Sequence, residues 1–159
     1  MKHFQLWLAT TPIGVWLSKA VAARFDPWIY KKTGGRLTTS GPVVVPQLVL
    51  TTRGRKSGEQ RDAQLAYTEV DGAVYVVASN FGGEHHPAWS YNLQANPEAV
   101  MHLGDQATPV YAARLSDDAK EVVWERLCLN IPNYAKYRAK TERNIQVYRL
   151  DPRSDASAA

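Results

Sequence analysis

Short runs of apolar and β-branched residues, each bounded by glycine, proline or asparagine, follow one another through the middle of the chain. Residues 47–52 (QLVLTT) and 61–70 (RDAQLAYTEV) are predicted as two strands, and the loop between them carries glycines near both ends. Asp71-Gly72 is a tight-turn signal, and residues 73–79 (AVYVVAS) are predicted as the next strand. Strands that follow so closely in sequence pair as an antiparallel meander.

In the second half of the chain, segments with apolar residues at helical spacing lie between further predicted strands. Pro87 begins a short helix that ends at Asn96-Pro97, because the residue before proline avoids the helical conformation. Ser116 caps a longer helix whose apolar residues repeat at helical spacing as far as Ile131. The remaining predicted elements are strands at 99–103, 107–115 and 145–150 and a short helix at 134–140. Six or so mostly antiparallel strands that do not alternate regularly with helices predict an α+β fold, a small β-barrel with helices packed outside it.

The first 25 residues are apolar but too interrupted for a signal peptide or a membrane span. A polar break at Thr10-Thr11-Pro12 and the charge of Lys19 divide them well short of the roughly 20 apolar residues that a spanning helix needs. Thr11 as N-cap and Pro12 in the first turn predict a helix to about Phe25. We therefore expect a cytoplasmic protein with three parts, a helical segment (1–35), a barrel domain (36–152) and a short disordered tail (153–159).

Charge is distributed unevenly along the chain. The 159 residues carry 19 Lys plus Arg and 15 Asp plus Glu, a formal net charge of +4. Residues 1–40 hold six of the bases and one of the acids, so the rest of the chain is nearly neutral. Proteins that coat nucleic acid carry positive charge over a face of the fold, so this distribution does not favour a nucleic-acid partner. A single cysteine, Cys128, excludes an internal disulfide.

Two interpretations of the N-terminal segment stay open. In the first, the helix packs on the barrel. In the second, the segment makes peripheral contact with the inner face of the cell membrane. The residues that would make this contact are three tryptophans and four lysines, Trp7, Trp16, Trp28, Lys2, Lys19, Lys31 and Lys32.

The loop after the first predicted strand concentrates positive charge. Four bases (Arg53, Arg55, Lys56 and Arg61) lie near two glycines and Ser57. Exposed backbone N–H groups at turns, together with guanidinium and ammonium groups, bind phosphate or carboxylate. An anion site is one interpretation and a solvated hairpin is the other. The glycine spacing does not match a Walker loop.

A second group of residues follows the strand that ends at Ser79. The segment Ser79-Asn80-Phe81-Gly82-Gly83 precedes Pro87-Ala88-Trp89 and Asn92. A hydroxyl and loop amides at the mouth of a barrel bind a flat heterocycle, and an indole supplies a wall. The alternative is a glycine turn beside a core tryptophan.

Tyr134 and Tyr137 lie three residues apart and therefore on one helix face. Paired phenols position a carbonyl or donate a proton, although a phenol pKa near 10 makes them slow acids. The alternative is a pair of packing residues. His85 and His86 diverge on any regular element, so no metal site is expected, and the sequence has no GxSxG or GxGxxG motif.

Taken in order, these groups resemble the deazaflavin-dependent nitroreductase family, the split-barrel reductases of actinobacteria that use coenzyme F420. The match runs from about Tyr30 to Pro152, and the order and spacing of its motifs carry it. The matching residues are Leu50–Gly58 (LTTRGRKSG), Asp71-Gly72, Ala78-Ser79, Gly82-Gly83, His86–Trp89 (HPAW), Asn92-Leu93, Ala95–Pro97, Pro132–Tyr134, Tyr137, Thr141 and Arg143.

The resemblance implies a split β-barrel that binds reduced deazaflavin, F420H2, as the hydride donor. It assigns the cofactor's phosphate and oligoglutamate tail to Arg55, Lys56 and Arg61, with Arg53 and Ser57 in the same loop. It assigns the deazaflavin ring to the loop Ser79, Asn80, Gly82, Gly83 and to the helix start Pro87, Ala88, Trp89, Asn92. Ser79, Tyr134 and Tyr137 orient the acceptor, and water or a tyrosine supplies the proton.

The family's acceptors include quinones, enones and nitroimidazoles, and this sequence departs from the best nitroimidazole reducers at two positions. Ile131 stands where a third tyrosine is expected, and Ala66, next to Tyr67, stands where a strand aromatic occurs. We therefore predict reduction of quinones or enones, and weak nitro reduction at most. Two alternatives stay open, a flavin-mononucleotide oxidoreductase of the wider superfamily and a deazaflavin-binding protein without turnover.

Overall fold

A computed structural model of the protein describes residues 12–43 and 45–154, and six of its strands close into one barrel. The strands are β1 (Leu37–Thr38), β2 (Gly41–Pro42), β3 (Gln47–Arg53), β4 (Gln60–Val70), β5 (Ala73–Val77), β6 (Glu98–Leu103), β7 (Gln106–Arg114) and β8 (Val147–Pro152). The strand order around the barrel is β3-β4-β5-β8-β7-β6, and every pairing is antiparallel. Strands β1 and β2, of two residues each, pair with each other outside the barrel. The predicted α+β barrel is therefore confirmed.

Within residues 12–43 and 45–154, four α-helices pack around the barrel. They are α1 (Pro12–Lys32), α2 (Ala88–Ala95), α3 (Asp117–Asn130) and α4 (Asn133–Lys140). Ser116 caps α3 as predicted, because its side chain accepts a hydrogen bond from the Ala119 N–H at 3.2 Å. The short helices α2 and α4 also begin within a residue of the predicted positions.

The barrel interior and the outer face under α3 and α4 form two separate apolar clusters. The interior includes Leu48 and Leu50 of β3, and α2 extends Trp89 and Leu93 into it. The outer cluster includes Leu127 of α3 and Tyr134 of α4. Alternate residues of β5 thus pack on the two sides of the sheet, and this strand is a continuous apolar run (AVYVV) in the sequence. Helix α2 lies across one end of the barrel, next to the turn between β3 and β4.

Helix α1 runs past the predicted end at Phe25 and continues through Pro27 to Lys32, so that boundary was wrong. Pro27 removes one helical hydrogen bond, but its ring is buried, and Tyr30 one turn later is 2% exposed. The Tyr30 hydroxyl donates to the Gln47 carbonyl at 2.5 Å. Packing on the barrel therefore maintains the helix across the proline. This packing agrees with the first of the two N-terminal interpretations for the last turns of α1, where Pro27 and Tyr30 are buried.

The last strand of the barrel continues to the boundary of the predicted tail. Strand β8 extends through Pro152, and the Arg153 N–H donates to the Pro109 carbonyl at 2.9 Å. The Arg153 guanidinium also pairs with Glu98 at 2.8 Å. Arg153, the first residue of the predicted tail, thus contacts two neighbouring segments of the barrel. Residues 155–159 of the predicted tail lie outside the described part of the chain.

Candidate functional site

A cleft of about 490 Å³ lies between the turn that joins β3 to β4 and the first turn of helix α2. Its volume is within the range of ordinary small-molecule sites. The lining combines residues of both predicted groups with two, Asp62 and Ala63, that the sequence did not single out. The lining residues are Thr52, Gly54, Arg55, Lys56, Ser57, Arg61, Asp62, Ala63, Ala88, Trp89 and Asn92.

Asn92 fixes the two walls of the cleft to each other. Its Oδ1 accepts from the Arg55 backbone N–H at 3.1 Å, and its Nδ2 donates to the Thr52 hydroxyl at 3.0 Å. Both Asn92 and Thr52 are buried. Buried amides of this kind are costly to leave unpaired, so the bonds fix the position of the turn. Asn92 lines the cleft, and both polar atoms of its amide group hold the two walls together.

The turn itself depends on its glycines. The Gly54 N–H donates to the Glu59 carbonyl and the Gly58 N–H to the Gly54 carbonyl, both at 2.7 Å. Gly58 has φ +71°, which is the left-handed region that side chains disfavour. A Cβ on Gly54 would lie 2.7 Å from the Ser57 Oγ. The glycines thus produce a compact turn that presents the intervening side chains to the cleft.

The bases of the turn differ in how far their charge is neutralised. Arg61 donates to the Glu59 carboxylate at 2.8 Å, so its charge is largely compensated. Arg55 stacks over the Tyr91 ring at 4.7 Å, and Lys56 makes no ion pair with any described residue. Arg53 is exposed at the end of β3 and does not line the cleft. Two cationic groups without a carboxylate partner therefore face the cleft, and they suit an anionic ligand.

The opposite wall of the cleft is aromatic. Trp89 is 8% exposed and packs edge-on against Tyr148, with ring centroids 5.7 Å apart. Its indole is therefore part of the barrel core and also lines the cleft, so core packing does not exclude the predicted role as a wall for a ligand. A basic turn beside an aromatic wall fits a ligand that has a flat ring and a negatively charged tail.

The loop that follows β5 has a constrained backbone. Asn80, Phe81 and Gly82 have consecutive positive φ angles of 44°, 53° and 74°. Such angles are costly for residues other than glycine and persist only where the surroundings enforce them. Gly82 lies against α4, because a Cβ there would be 2.9 Å from the Tyr137 carbonyl. Phe81 is 71% exposed, with its ring edge-on to that of Tyr137 at 5.8 Å.

Arg143 holds this loop in place, and it has no role among the site residues predicted from the sequence. Its guanidinium donates to the backbone carbonyls of Ala78, Ser79 and Gly83 at 3.1, 2.8 and 3.1 Å. It also lies 2.7 Å from Nδ1 of His86. Five fixed donors make one guanidinium able to satisfy several carbonyls at once. In the sequence, Arg143 could be recognised only as one of the residues that match the family motifs. The sequence did not indicate which groups it contacts.

The contact with Arg143 also defines the protonation of His86. A guanidinium only donates, so Nδ1 accepts and the ring proton is on Nε2. Burial, followed by the positive charges of Arg143 and Arg114, lowers the pKa of His86 below its ordinary 6.5. The neutral imidazole is thus the form that the site requires.

This lowered pKa predicts a pH-dependent stability. In the unfolded chain His86 takes up a proton near pH 6.5, whereas in the folded chain it does so at lower pH. Its contribution to the free energy of unfolding is therefore complete above pH 6.5 and declines as the pH falls towards the folded pKa. Denaturant titrations give the free energy of unfolding at about pH 7 and at about pH 5. Its decrease between these pH values should be smaller for His86→Gln than for the wild type. Equal losses would contradict the prediction.

The remaining predicted site residues lie around this loop. The Ser79 hydroxyl makes no hydrogen bond with the described residues, while Asn80 donates to the His85 carbonyl at 2.8 Å. Tyr137 is half-buried beside Phe81. Tyr134 is 4% exposed within the outer apolar cluster, and burial raises its pKa well above the usual value. The structure thus brings Ser79 and Tyr137 to one loop and helix, while Tyr134 packs in the core, and the acceptor roles stay predictions.

Fold and site together define a class of protein, a small β-barrel with a basic, aromatic-walled cleft at one end. Residues 22–152 match the family model of the F420H2-dependent quinone reductases. The chain therefore belongs to the F420H2-dependent quinone reductase family. A relative of this name in Mycobacterium tuberculosis is 32% identical over 147 residues, which is 89% of this chain and 99% of the relative.

Two solved structures agree with this placement. An F420H2-dependent reductase, FDR-A, is 35% identical and superposes on 69% of this chain and 99% of its own with a TM-score of 0.61. A structure described as a domain-swapped dimer is 31% identical and covers 89% of this chain and all of its own, with a TM-score of 0.63. The split-barrel fold, the resemblance and, for the family, the F420 cofactor are thereby confirmed.

Proposed function

We propose that this protein binds F420H2 in the cleft and reduces a quinone. The observation that carries the proposal is the cleft itself, where Arg55 and Lys56 line the same space as Trp89 and have no carboxylate partner among the described residues. F420H2 supplies the hydride when bound. Arg55, Lys56 and Arg61 hold its phosphate and oligoglutamate tail, and Ser57 lies in the same turn. Arg53, at the edge of the turn, adds to the attraction over a longer range.

The chain's own groups orient the reactants. The deazaflavin ring would be held by the start of α2 at Pro87 and Ala88 and by the Arg143-held loop of Ser79, Asn80, Gly82 and Gly83. Of these residues, Ala88 lines the cleft itself. The Ser79 hydroxyl, with no hydrogen bond to the described residues, is available to an acceptor oxygen, and Tyr137 lies on the helix that packs on this loop. Tyr134 lies in the outer apolar cluster, against which Tyr137 packs. It stays a neutral phenol, because burial raises its pKa. The proton then comes from water or from Tyr137.

Quinones are the acceptors that the family name supports, and enones and nitro-aromatics are narrower proposals. Ile131 packs beside the outer apolar cluster, and Tyr67 packs against the barrel interior. Neither supplies a phenol beside Ser79. We therefore expect enone reduction below quinone reduction and nitroimidazole reduction weaker still.

The deciding experiment follows oxidation of F420H2 by the purified protein with menadione, cyclohexenone or a nitroimidazole as acceptor. Reduced flavin mononucleotide is the parallel donor. Turnover with F420H2 and menadione supports the proposal. Turnover with reduced flavin mononucleotide alone would instead favour the flavin oxidoreductase alternative, and binding of F420 without turnover would favour the non-catalytic alternative.

We further propose that helix α1 contacts the membrane surface. Its side away from the barrel exposes Val21, Phe25 and Trp28, which are 44%, 52% and 60% exposed. Their spacing of four and three residues aligns them on one helix face, with the exposed Arg24 and Lys32 alongside. An apolar stripe flanked by bases is typical of a helix that lies in the interface of an anionic bilayer.

The sequence predicts other residues of the N-terminal segment as membrane contacts as well. Lys31 faces the barrel and pairs with Asp62. The remaining ones (Lys2, Trp7, Trp16 and Lys19) lie outside the described side chains. Among the described residues, no helix combines the length and the apolar character that crossing a bilayer requires. We therefore propose that α1 makes peripheral contact with the inner face of the cell membrane.

Replacing Phe25 and Trp28 by serine is expected to release the protein from anionic lipid, because these rings carry most of the exposed apolar area of the stripe. The measurement is cosedimentation with phosphatidylglycerol-containing liposomes. The matched control is Val122→Ser/Leu129→Ser, which removes two apolar side chains of α3 that are 79% and 75% exposed. Equal sedimentation of both double variants and the wild type would contradict the proposal.

A further inference from the structure

A polar cluster connects the last turn of helix α1 to the outer face of the barrel. The Lys31 Nζ lies 2.6 Å from the Asp62 Oδ2 and 3.3 Å from the Thr51 Oγ1. The side chains of Lys31 and Asp62 are 30% and 33% exposed, so solvent only partly screens this ion pair. Residues Thr51 and Asp62 are direct partners in the pairing of β3 with β4.

Hydrogen bonds hold the other oxygen of Asp62. The Thr51 hydroxyl donates to the Asp62 Oδ1, and its oxygen lies 3.0 Å from Nε2 of His102 on the neighbouring strand β6. A hydroxyl has one proton to donate, so the Thr51 oxygen accepts from Lys31 and from His102. Thr51 is 7% exposed. Both carboxylate oxygens of Asp62 therefore have partners on the side that faces α1.

Asp62 is also the one carboxylate among the residues that line the described cleft. It lies next to Arg61 on the wall that we assign to the anionic tail of the cofactor. An unpaired carboxylate there would repel a phosphate or an oligoglutamate chain. The charge of Lys31 offsets that repulsion, and Lys31 comes from a helix that does not itself line the cleft.

We propose that Lys31 is a positioning residue for cofactor binding, which acts by neutralising Asp62 and turning its carboxylate away from the cleft. The docking of helix α1 thereby sets the charge that the cofactor tail meets. This inference rests on the proposed function, because it takes the cleft as the F420 site. It adds a link between the proposed membrane-facing helix and cofactor affinity.

The experiment measures binding of F420 to the full-length protein by isothermal titration calorimetry, without any acceptor. Lys31→Met should raise the dissociation constant about five-fold at low ionic strength, because Asp62 loses its counter-charge. Lys31→Arg should stay close to the wild type. Lys31→Met/Asp62→Asn should restore the wild-type value, since the repelling charge is gone. High salt should reduce the difference between Lys31→Met and the wild type.

A surface ion pair elsewhere provides the matched control. Arg126 and Asp71 lie 2.6 Å apart, with side chains 50% and 77% exposed, and neither lines the cleft. Arg126→Met makes the same change in net charge and also leaves an aspartate unpaired. It should not alter F420 binding. A weakening equal to that of Lys31→Met would show a general charge effect and overturn the inference.

Two further outcomes separate this inference from the proposed function. If wild-type protein binds F420 and Lys31→Met binds it equally well, the inference is wrong and the proposed function stands. If Lys31→Met binds weakly and Asp62→Asn does not restore affinity, Lys31 supports only the docking of α1, and the inference is again wrong. If the wild type does not bind F420 at all, both the proposed function and the inference fail.

Discussion

Replacing Arg143 by methionine should lower kcat/KM for quinone reduction about 100-fold or more, since several charge-assisted hydrogen bonds of roughly 1.5–3 kcal/mol each are lost. The loss would free the carbonyls of Ala78, Ser79 and Gly83 and the Nδ1 of His86 together. The loop backbone has three consecutive positive φ angles and would then relax towards ordinary conformations. The measurement is steady-state oxidation of F420H2 with menadione.

The control for this prediction is Arg149→Met. Arg149 pairs with Asp151 at 2.7 Å on the exposed side of β8, and surface pairs of this kind contribute little. Arg143→Lys should be intermediate, because one ammonium group does not reach three carbonyls and an imidazole. Limited proteolysis of the loop distinguishes loss of loop order from global unfolding. Wild-type activity in Arg143→Met would show that the loop holds its shape without the guanidinium.

Arg55→Ala/Lys56→Ala should raise the KM for F420H2 at least about ten-fold, because two charge-assisted contacts to an anionic tail are removed. These bases face the cleft without a carboxylate partner, whereas Arg61 is paired with Glu59. The effect should fall on KM more than on kcat, since the tail is remote from the reacting ring. Steady-state kinetics at several F420H2 concentrations measure it.

Arg126→Ala/Arg149→Ala is the matched control, because it removes two arginines from surface ion pairs that lie outside the cleft lining. Its KM should equal that of the wild type. Arg61→Ala should have a smaller effect than the Arg55/Lys56 pair, as Glu59 already compensates its charge. A KM unchanged in Arg55→Ala/Lys56→Ala would return the turn to the solvated-hairpin interpretation.

Most of the strands and the later helices could be predicted because their signals are local. The Asp71-Gly72 turn, the Ser116 cap and the Asn96-Pro97 helix end each depend on a few neighbouring residues. The end of α1 could not be predicted in this way. Pro27 is a local stop signal, and contacts of Pro27 and Tyr30 with a barrel distant in sequence override it.

The residues of the candidate site also divide into those with a local sequence signal and those that depend on distant contacts. Arg55, Lys56 and Trp89 were recognisable from residue type and spacing. Asp62 and Arg143 had no comparable signal, because each acts through partners at least 11 residues away along the chain. The burial of Tyr134 could not be predicted either, because the helix spacing that pairs it with Tyr137 does not show which side of the helix faces the core.

The sequence by itself determined the order of strands and helices, the basic turn, the glycine loop and the family to which they belong. These features follow from backbone preferences and residue chemistry over short distances. Only the tertiary structure decided which charges are compensated, as Glu59 compensates Arg61 and Lys31 compensates Asp62. Compensation depends on distances of a few ångströms between residues that barrel closure and helix docking bring together, and Coulomb energies change steeply over such distances.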